Sequence, residues 1–283
     1  MGFKSPEDAA VAASLSMLLE VSGNPKAGNV DREHDFSDLK YEHFLASATA
    51  SLPIFIEVAK NRRIGEGIYR AVEYSKNWYR ATNVHFGAYL LLIPLLTAWD
   101  CRDMYESTHT AVENLKKTTW KDSVLLLKAF KICKARVVKA KELTLESDET
   151  EELLIKDKIN VYKWMLKAPK ENLIAKELTR GYEISLKGAE FILNSELDVN
   201  DRIVFLYHDL LSKHLDPLVI SKAGIDVAIE VRKLAEKAIK SDNPFERFRK
   251  LDEKLLAMDL NPGTIADIVI SSIYLAMLEG WRV

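Results

Sequence analysis

The sequence predicts an all-α protein: one multi-helix domain, spanning 1–283, packed as a bundle around a central buried helix. Three observations carry that reading. Apolar residues recur at helical spacing, as Val11, Leu15 and Leu18 do, while alternating strands with Asn-Gly or Asp-Gly turns are nearly absent. Helix punctuation is frequent: Ser5-Pro6-Glu7-Asp8 reads as an N-cap, a proline at the first helical position and an acid three residues after the cap. Finally, "YLLLIPLL" (Tyr89–Leu96) is apolar on every side, as a helix surrounded by other helices must be.

Taken in order, the first helix ends at Gly23 and the next starts near Ser37 or Asp38, with Tyr41, Phe44, Leu45 and Ala48 on one face and Pro53 as a kink or restart. Helical composition follows over Ile64–Tyr79 and Thr82–Trp99, with Thr82 or Asn83 as a simple cap of the latter. Lys116–Lys141 is basic and Glu142–Glu152 acidic, the mark of solvated faces and an exposed loop at "TLESDETEE". Further helices are expected at Leu153–Lys167, Glu183–Asn194, Val199–His214, Pro217–Lys240, Phe245–Leu260 and Pro262–Leu278.

Composition narrows the function classes. A net charge of -2 gives no general attraction to nucleic acid or to an anionic membrane, so neither is an expected partner. The longest apolar run is far short of the ~20 residues of a membrane span, and no secretory signal pattern opens the chain. Cys101 and Cys133 stand alone without CxxC spacing, which suits a reducing cytoplasm and core packing rather than zinc. Nucleotide-loop, zinc-protease and serine-hydrolase motifs are missing, so any site has to be assembled from segments between helices.

Four segments offer such parts. In "SGNPKAGNVDREHDFSDLKYEHF" (Ser22–Phe44) the turn containing Gly28 could cradle an anion on backbone amides, with Lys26 as a point charge. Asp31, Asp35, Asp38 and Glu42 are hard oxygen ligands of the kind Mg²⁺ takes beside phosphates. A solvated loop leading into an acidic helix start is the simpler reading of composition alone. Asn83 and His85 stand at the mouth of the apolar helix. In "YHDLLSKHLDPLVISKAG" Asp216-Pro217 reads as an ordinary helix opening, and Asp209 and Lys213 as an exposed i,i+4 pair. In "LNPGTIADIVISS" Asn261 caps, Pro262 opens, Gly263 leaves a bare helix start suited to phosphate, and Asp267 is an acid inside an apolar helix.

The segments Asn24–Arg32, His34–Ala48, Thr82–Leu95, Leu215–Gly224 and Leu260–Ile268 resemble, in the same order, the triphosphoribosyl-dephospho-CoA synthase family. Its most specific marks are a P-K-x-G-x-V-[DN]-R loop and a [NS]-P-G-x-x-A-D helix start. The resemblance implies an all-α transferase that releases adenine from ATP and joins the triphosphoribosyl unit to the 2′-hydroxyl of 3′-dephospho-CoA, with Mg²⁺ expected. The polar positions it carries over are Lys26, Asp31, Arg32, Asp35, Asn83, Asn261 and Asp267. Joined to the segment readings above, these make Asp31, Asp35 and Asp267 the expected catalytic residues, Lys26, Gly28, Arg32, Asn83, Asn261 and Gly263 the expected substrate or phosphate binders, and Asp35, Asp38 and Glu42 the expected metal ligands. Here Asp216-Pro217 stands where relatives read Asp-Thr, and "PKENLIAKEL" replaces a glycine-rich stretch. Another coenzyme acceptor and a non-catalytic nucleotide-binding protein are the alternative readings. The expected partners are small molecules, in a cytoplasmic protein for which a homo-oligomer is left open.

Overall fold

A computed structural model describes residues 2–134 and 149–283. The described residues form α-helices and one short 3₁₀ turn, without strands. The helices are α1 (Pro6–Ser22), α2 (Tyr41–Asn61), α3 (Ile64–Ser75), α4 (Phe86–Leu96), α5 (Met104–Lys116), α6 (Trp120–Cys133), α7 (Glu149–Lys156) and α8 (Val161–Leu166). They continue with α9 (Leu173–Arg180), α10 (Glu183–Asn194), α11 (Val199–Lys213), α12 (Pro217–Ala223), α13 (Ile225–Ile239), α14 (Pro244–Ala257) and α15 (Gly263–Leu278).

Two helices without a polar face occupy the middle. Every residue of α4 except Gly87 is buried, and Leu91, Leu92 and Leu95 have no solvent contact. From Thr264 to Leu278, α15 is buried apart from Asp267. The two pack on each other and on α1, which in turn packs on α2 and α11. Around them the amphipathic helices each turn one apolar stripe inward, and a single connected cluster of buried apolar residues runs from Phe3 to Leu278.

Local chemistry explains most boundaries. Ser5 Oγ accepts from the Asp8 amide at 3.1 Å, as the sequence predicts for α1. Pro53 neither breaks nor restarts α2, which is continuous across it. The expected helix over Leu153–Lys167 is two helices, because Lys158 takes a left-handed conformation (φ 48°) and Asn160 caps a new start at Lys163 N, 2.8 Å. The expected helix over Pro217–Lys240 is likewise cut by Gly224, whose φ of 90° and ψ of 167° suit glycine. α5 and α9 were not anticipated: the apolar face of α5 is sparse, and its start rests on Asp103 accepting from Glu106 N at 2.8 Å. Within "TLESDETEE", Glu149–Glu152 open α7 rather than extend a loop; the rest lies outside the described residues, as do the last residues of the basic Lys116–Lys141 stretch.

Leu91→Ala should lower unfolding free energy by about 2–5 kcal/mol, the cost of a cavity in a tightly packed interior, with unchanged helical circular dichroism. Val11→Ala on the exposed face should stay within about 0.5 kcal/mol. Equal effects of the two in chemical denaturation would contradict the central place of α4.

Candidate functional site

The loop after α1 is held from both sides. Asn24 N donates to Asn200 Oδ1 at 3.0 Å while Asn200 Nδ2 donates back to Asn24 O at 2.9 Å, and the Asn24-Pro25 peptide is cis. Ala27 N donates to His208 Nε2 at 3.3 Å, Tyr207 Oη donates to Ala27 O at 2.8 Å, and Gly28 N donates to Asp252 Oδ1 at 2.8 Å. Gly28 has φ 68°, and a β-carbon there would meet Leu260 O at 2.5 Å. Only glycine therefore lets this loop touch the segment that leads into α15. The two most specific sequence motifs, some 230 residues apart, are in contact at this point.

Beside that contact lies a cavity of about 370 Å³, within the range of small-molecule sites. Its wall is built by Glu20 of α1, Asn29, the 36–39 segment, Phe44 of α2, the start of α4, and the stretch from Asn261 into α15. Lys134 and Lys222 also line it, Lys222 in an ion pair with Asp259. Three of its polar residues have buried atoms without a hydrogen-bond partner among the described residues: Asn83 Oδ1, Asn261 Oδ1 and both ring nitrogens of His85. Buried polar atoms are rarely left so, since each costs about 1–3 kcal/mol. Here the three residues that carry these four atoms line one cavity.

His85 occupies the residue before α4 with φ 62°, a conformation uncommon outside glycine, and its side chain caps nothing. Its ring meets Phe44 edge-on with centroids 4.9 Å apart. Burial, with some repulsion from Lys26, lowers its pKa to about 3, so the imidazole is neutral at physiological pH. The expected caps of α4, Thr82 and Asn83, lie further back and line the cavity instead.

The electrostatics are unusual for an interior. Lys26 is fully buried and its Nζ lies 2.5 Å from Glu20 Oε1. Burial raises the Glu20 carboxyl, and Lys26 opposes that shift. Asp267 also lines the cavity and has no such cation beside it among the described residues. Its carboxylate rests on Gly87, where a β-carbon would fall 2.0 Å from Oδ2, and takes the Ala88 amide at the start of α4. Asp267 is exposed only towards the cavity, so burial pushes its carboxyl well above the usual range, and the charges of Glu20 and Asp216 push the same way. Asp216 is likewise raised, to about 6, mainly by burial.

Several expected site residues stand elsewhere. Lys26 does not line the cavity; it lies behind Glu20. No anion nest forms over 26–29, because the Lys26 amide is directed at Asp31 and the other amides go to His208, Asp252 and Lys26 O. Arg32 is exposed and donates to Asn200 Oδ1 at 3.1 Å. Asp31 is buried and holds its own loop, accepting from Asn24 Nδ2 at 2.8 Å and from the amides of Glu33 and His34 at 2.8 and 3.0 Å. Asp35 Oδ1 accepts from Tyr41 N at 2.8 Å, capping α2, and Glu42 is exposed; of the expected metal set Asp35, Asp38 and Glu42, only Asp38 lines the cavity. Among the described residues the three metal-competent side chains that do converge are Asp31, His34 and Asp252.

The start of α15 is not bare. Asp216 accepts from Leu218 N at 2.7 Å, as the Asp-Pro opening predicts, and its other oxygen accepts from Ile265 N at 2.9 Å, so one carboxylate caps two helices. Gly263 N donates to Asn261 O at 2.9 Å, which removes that amide from phosphate binding, although Gly263 lines the cavity. Asn261 caps nothing and points its Oδ1 away from hydrogen-bond partners. Glu20 is the residue that sequence reasoning missed; an acid in the apolar run "SMLLEV" carries the same signal that singled out Asp267. His208 is structural, stacked on Phe248 with centroids 3.7 Å apart, and Asp209 pairs with Lys213 at 2.7 Å on the surface.

The raised carboxyl of Asp267 makes a signed prediction. In the unfolded chain it ionises near pH 4. In the folded protein it stays protonated to higher pH, so the stability it contributes is full below pH 4 and is lost as pH rises towards the folded value. Asp267→Asn removes that loss and keeps an acceptor for Ala88 N. The variant should therefore melt above the wild type at pH 7 and with it near pH 3.5. A variant that melts far below the wild type at pH 7 would show that the charged form supports the fold.

The family model for ATP:dephospho-CoA triphosphoribosyl transferase (CitG) matches residues 6–283. A comparison with curated proteins gives no match. Among solved structures, a crystal structure of a protein from Archaeoglobus fulgidus, provisionally named triphosphoribosyl-dephospho-CoA synthase, is 46% identical; it covers 85% of this chain and 100% of its own, with a TM-score of 0.72. With a family match over nearly its whole length, and with the Pro25–Arg32 loop and the Pro262–Asp267 helix start brought together at one cavity, the chain belongs to the triphosphoribosyl-dephospho-CoA synthase family of transferases.

Proposed function

We propose that the cavity between α1, α4 and α15 is where the glycosidic bond of ATP is exchanged, adenine leaving as the 2′-hydroxyl of dephospho-CoA takes its place. The observation that carries this is the set of unpartnered atoms on Asn83, His85 and Asn261, three residues that line one cavity together with Glu20 and Asp267. A neutral imidazole offers one donor and one acceptor, and an amide oxygen a second acceptor. These suit the mixed donor and acceptor edge of a purine, with Phe44 and Phe86 as apolar walls.

Substitution at a ribose C1′ passes through an oxocarbenium-like state and needs a proton removed from the incoming hydroxyl and one supplied to the leaving base. Two carboxyls in different surroundings divide that work. Glu20 has Lys26 as counter-ion and is the group that ionises first; it accepts the proton of the attacking hydroxyl. Asp267 has no cation beside it among the described residues and, with its raised pKa, holds a proton to donate to adenine. Asp31 and Asp35 act through the loop and the α2 start that they hold, without touching substrate.

For the polyphosphate, Lys222 and Lys134 replace Lys26 and Arg32, since they are the lysines that line the cavity among the described residues. Lys222 exchanges Asp259 for phosphate. Mg²⁺ arriving with ATP needs only one or two carboxylates beside phosphate oxygens, a demand Asp38 meets. Its bound role is to neutralise phosphate charge.

With ATP and dephospho-CoA the wild type should release adenine and form a triphosphoribosyl adduct visible by mass spectrometry. Asp267→Asn and Glu20→Gln should each lower adenine release by on the order of 100-fold, as losing a general acid or base does. Full activity in both variants would move the chemistry away from this cavity. Adenine release without the adduct would point to a different acceptor.

A further inference from the structure

Outside the cavity, where the loop after α1 meets α14, lies a second polar cluster. His34 Nδ1 stands 3.0 Å from Asp252 Oδ2 and 3.5 Å from Asp31 Oδ1. Ligand atoms of all three residues lie within 4.8 Å of one another. Both aspartates are 1% exposed. Although it is close to two carboxylates, the buried Nδ1 makes a well-directed hydrogen bond with neither. Metal bonds of 2.0–2.2 Å at tetrahedral or octahedral angles hold neighbouring ligand atoms about 3.0–3.5 Å apart, which matches the two distances from His34 Nδ1.

We propose that Asp31, His34 and Asp252 form a binding site for a divalent transition metal of the Mn²⁺ or Zn²⁺ class, fastening the loop after α1 to α14. The imidazole sets the class: Mg²⁺ and Ca²⁺ prefer oxygen donors throughout, whereas a site of one nitrogen and two carboxylates suits first-row metals. Two carboxylates also balance the charge of a dication. The ligands are held from behind, as metal ligands usually are. Asp31 is oriented by Asn24 Nδ2 and by the amides of Glu33 and His34, and Asp252 by Gly28 N. His34, partly exposed, supplies the way in and leaves the remaining coordination positions to water.

The site differs from any Mg²⁺ that accompanies ATP in the cavity, because none of its three residues lines that cavity. Its consequence is mechanical. Gly28 and Asn29, between Pro25 and Asp31, connect the metal ligands to the cavity wall, so a bound metal fixes the wall in place.

The test is titration of the nucleotide-free protein with Mn²⁺, followed by electron paramagnetic resonance, with His34→Ala and, as a surface-histidine control, His109→Ala. One Mn²⁺ per chain is expected, with hyperfine coupling to nitrogen and retention against millimolar Mg²⁺. His34→Ala should weaken binding at least tenfold, and His109→Ala should leave it unchanged. A hundredfold excess of Mn²⁺ over Kd should raise the wild-type melting temperature by about 3 °C or more. No saturable binding, equal affinity in His34→Ala, or a bound Mn²⁺ without nitrogen coupling would each overturn the proposal and leave His34 as an ion-pair partner only. Because no nucleotide is used, failure here leaves the reading of the cavity standing.

Discussion

The site depends on one buried ion pair. Lys26 has no contact with solvent, and a lone ammonium in such a place would lose its charge or unfold its surroundings. It survives because Glu20 Oε1 lies 2.5 Å away, and removing either partner of such a pair typically costs about 3–5 kcal/mol. The pair ties the loop after α1 back onto the helix it left. It also engages Lys26 with Glu20, and the charges that bear on Asp267 among the described residues are those of Glu20 and Asp216, both of which raise its carboxyl. Burial and the two neighbouring carboxyls together favour the protonated form of Asp267.

Around that constraint, residues from distant parts of the chain take shared duties. Asp216 closes the starts of both α12 and α15, and Asp267 closes on the start of α4. Gly28 and Gly87 are each the point where another element comes too near for a side chain. With the helix starts capped from elsewhere, Asn83, His85 and Asn261 are relieved of local duty, and Asn83 Oδ1, Asn261 Oδ1 and the His85 nitrogens are left without partners among the described residues.

Helical architecture was legible because burial leaves a periodic mark: the unbroken apolar run of α4 announced its central place, and Leu91, Leu92 and Leu95 are there without solvent contact. Boundaries were less legible where a single backbone angle decides them, as at Lys158 and Gly224. In the site, Asp267 and Asn83 could be picked out as polar residues in apolar company. Lys26 could be linked to the site but not placed in it, because composition cannot say which acid a lysine will meet. Glu20 was eclipsed by the richer polar loop that follows it, although an acid in "SMLLEV" has the same anomaly as Asp267. The acids of that loop look alike in sequence, yet Asp31 holds its turn, Asp35 caps a helix, Glu42 meets solvent and Asp38 alone reaches the cavity. What separates them is which backbone amides fold back onto each, and that is a property of the tertiary structure.

The central claim is that the cavity between α1, α4 and α15 is the nucleotide site and that its unpartnered atoms await the base and sugar. A crystal structure with an uncleavable ATP analogue tests it most directly. The account predicts the purine within hydrogen-bond reach of Asn83 and His85, the sugar between Glu20 and Asp267, and phosphate at Lys222. A nucleotide bound elsewhere, with Asn83 Oδ1, Asn261 Oδ1 and the His85 nitrogens still without partners, would contradict it.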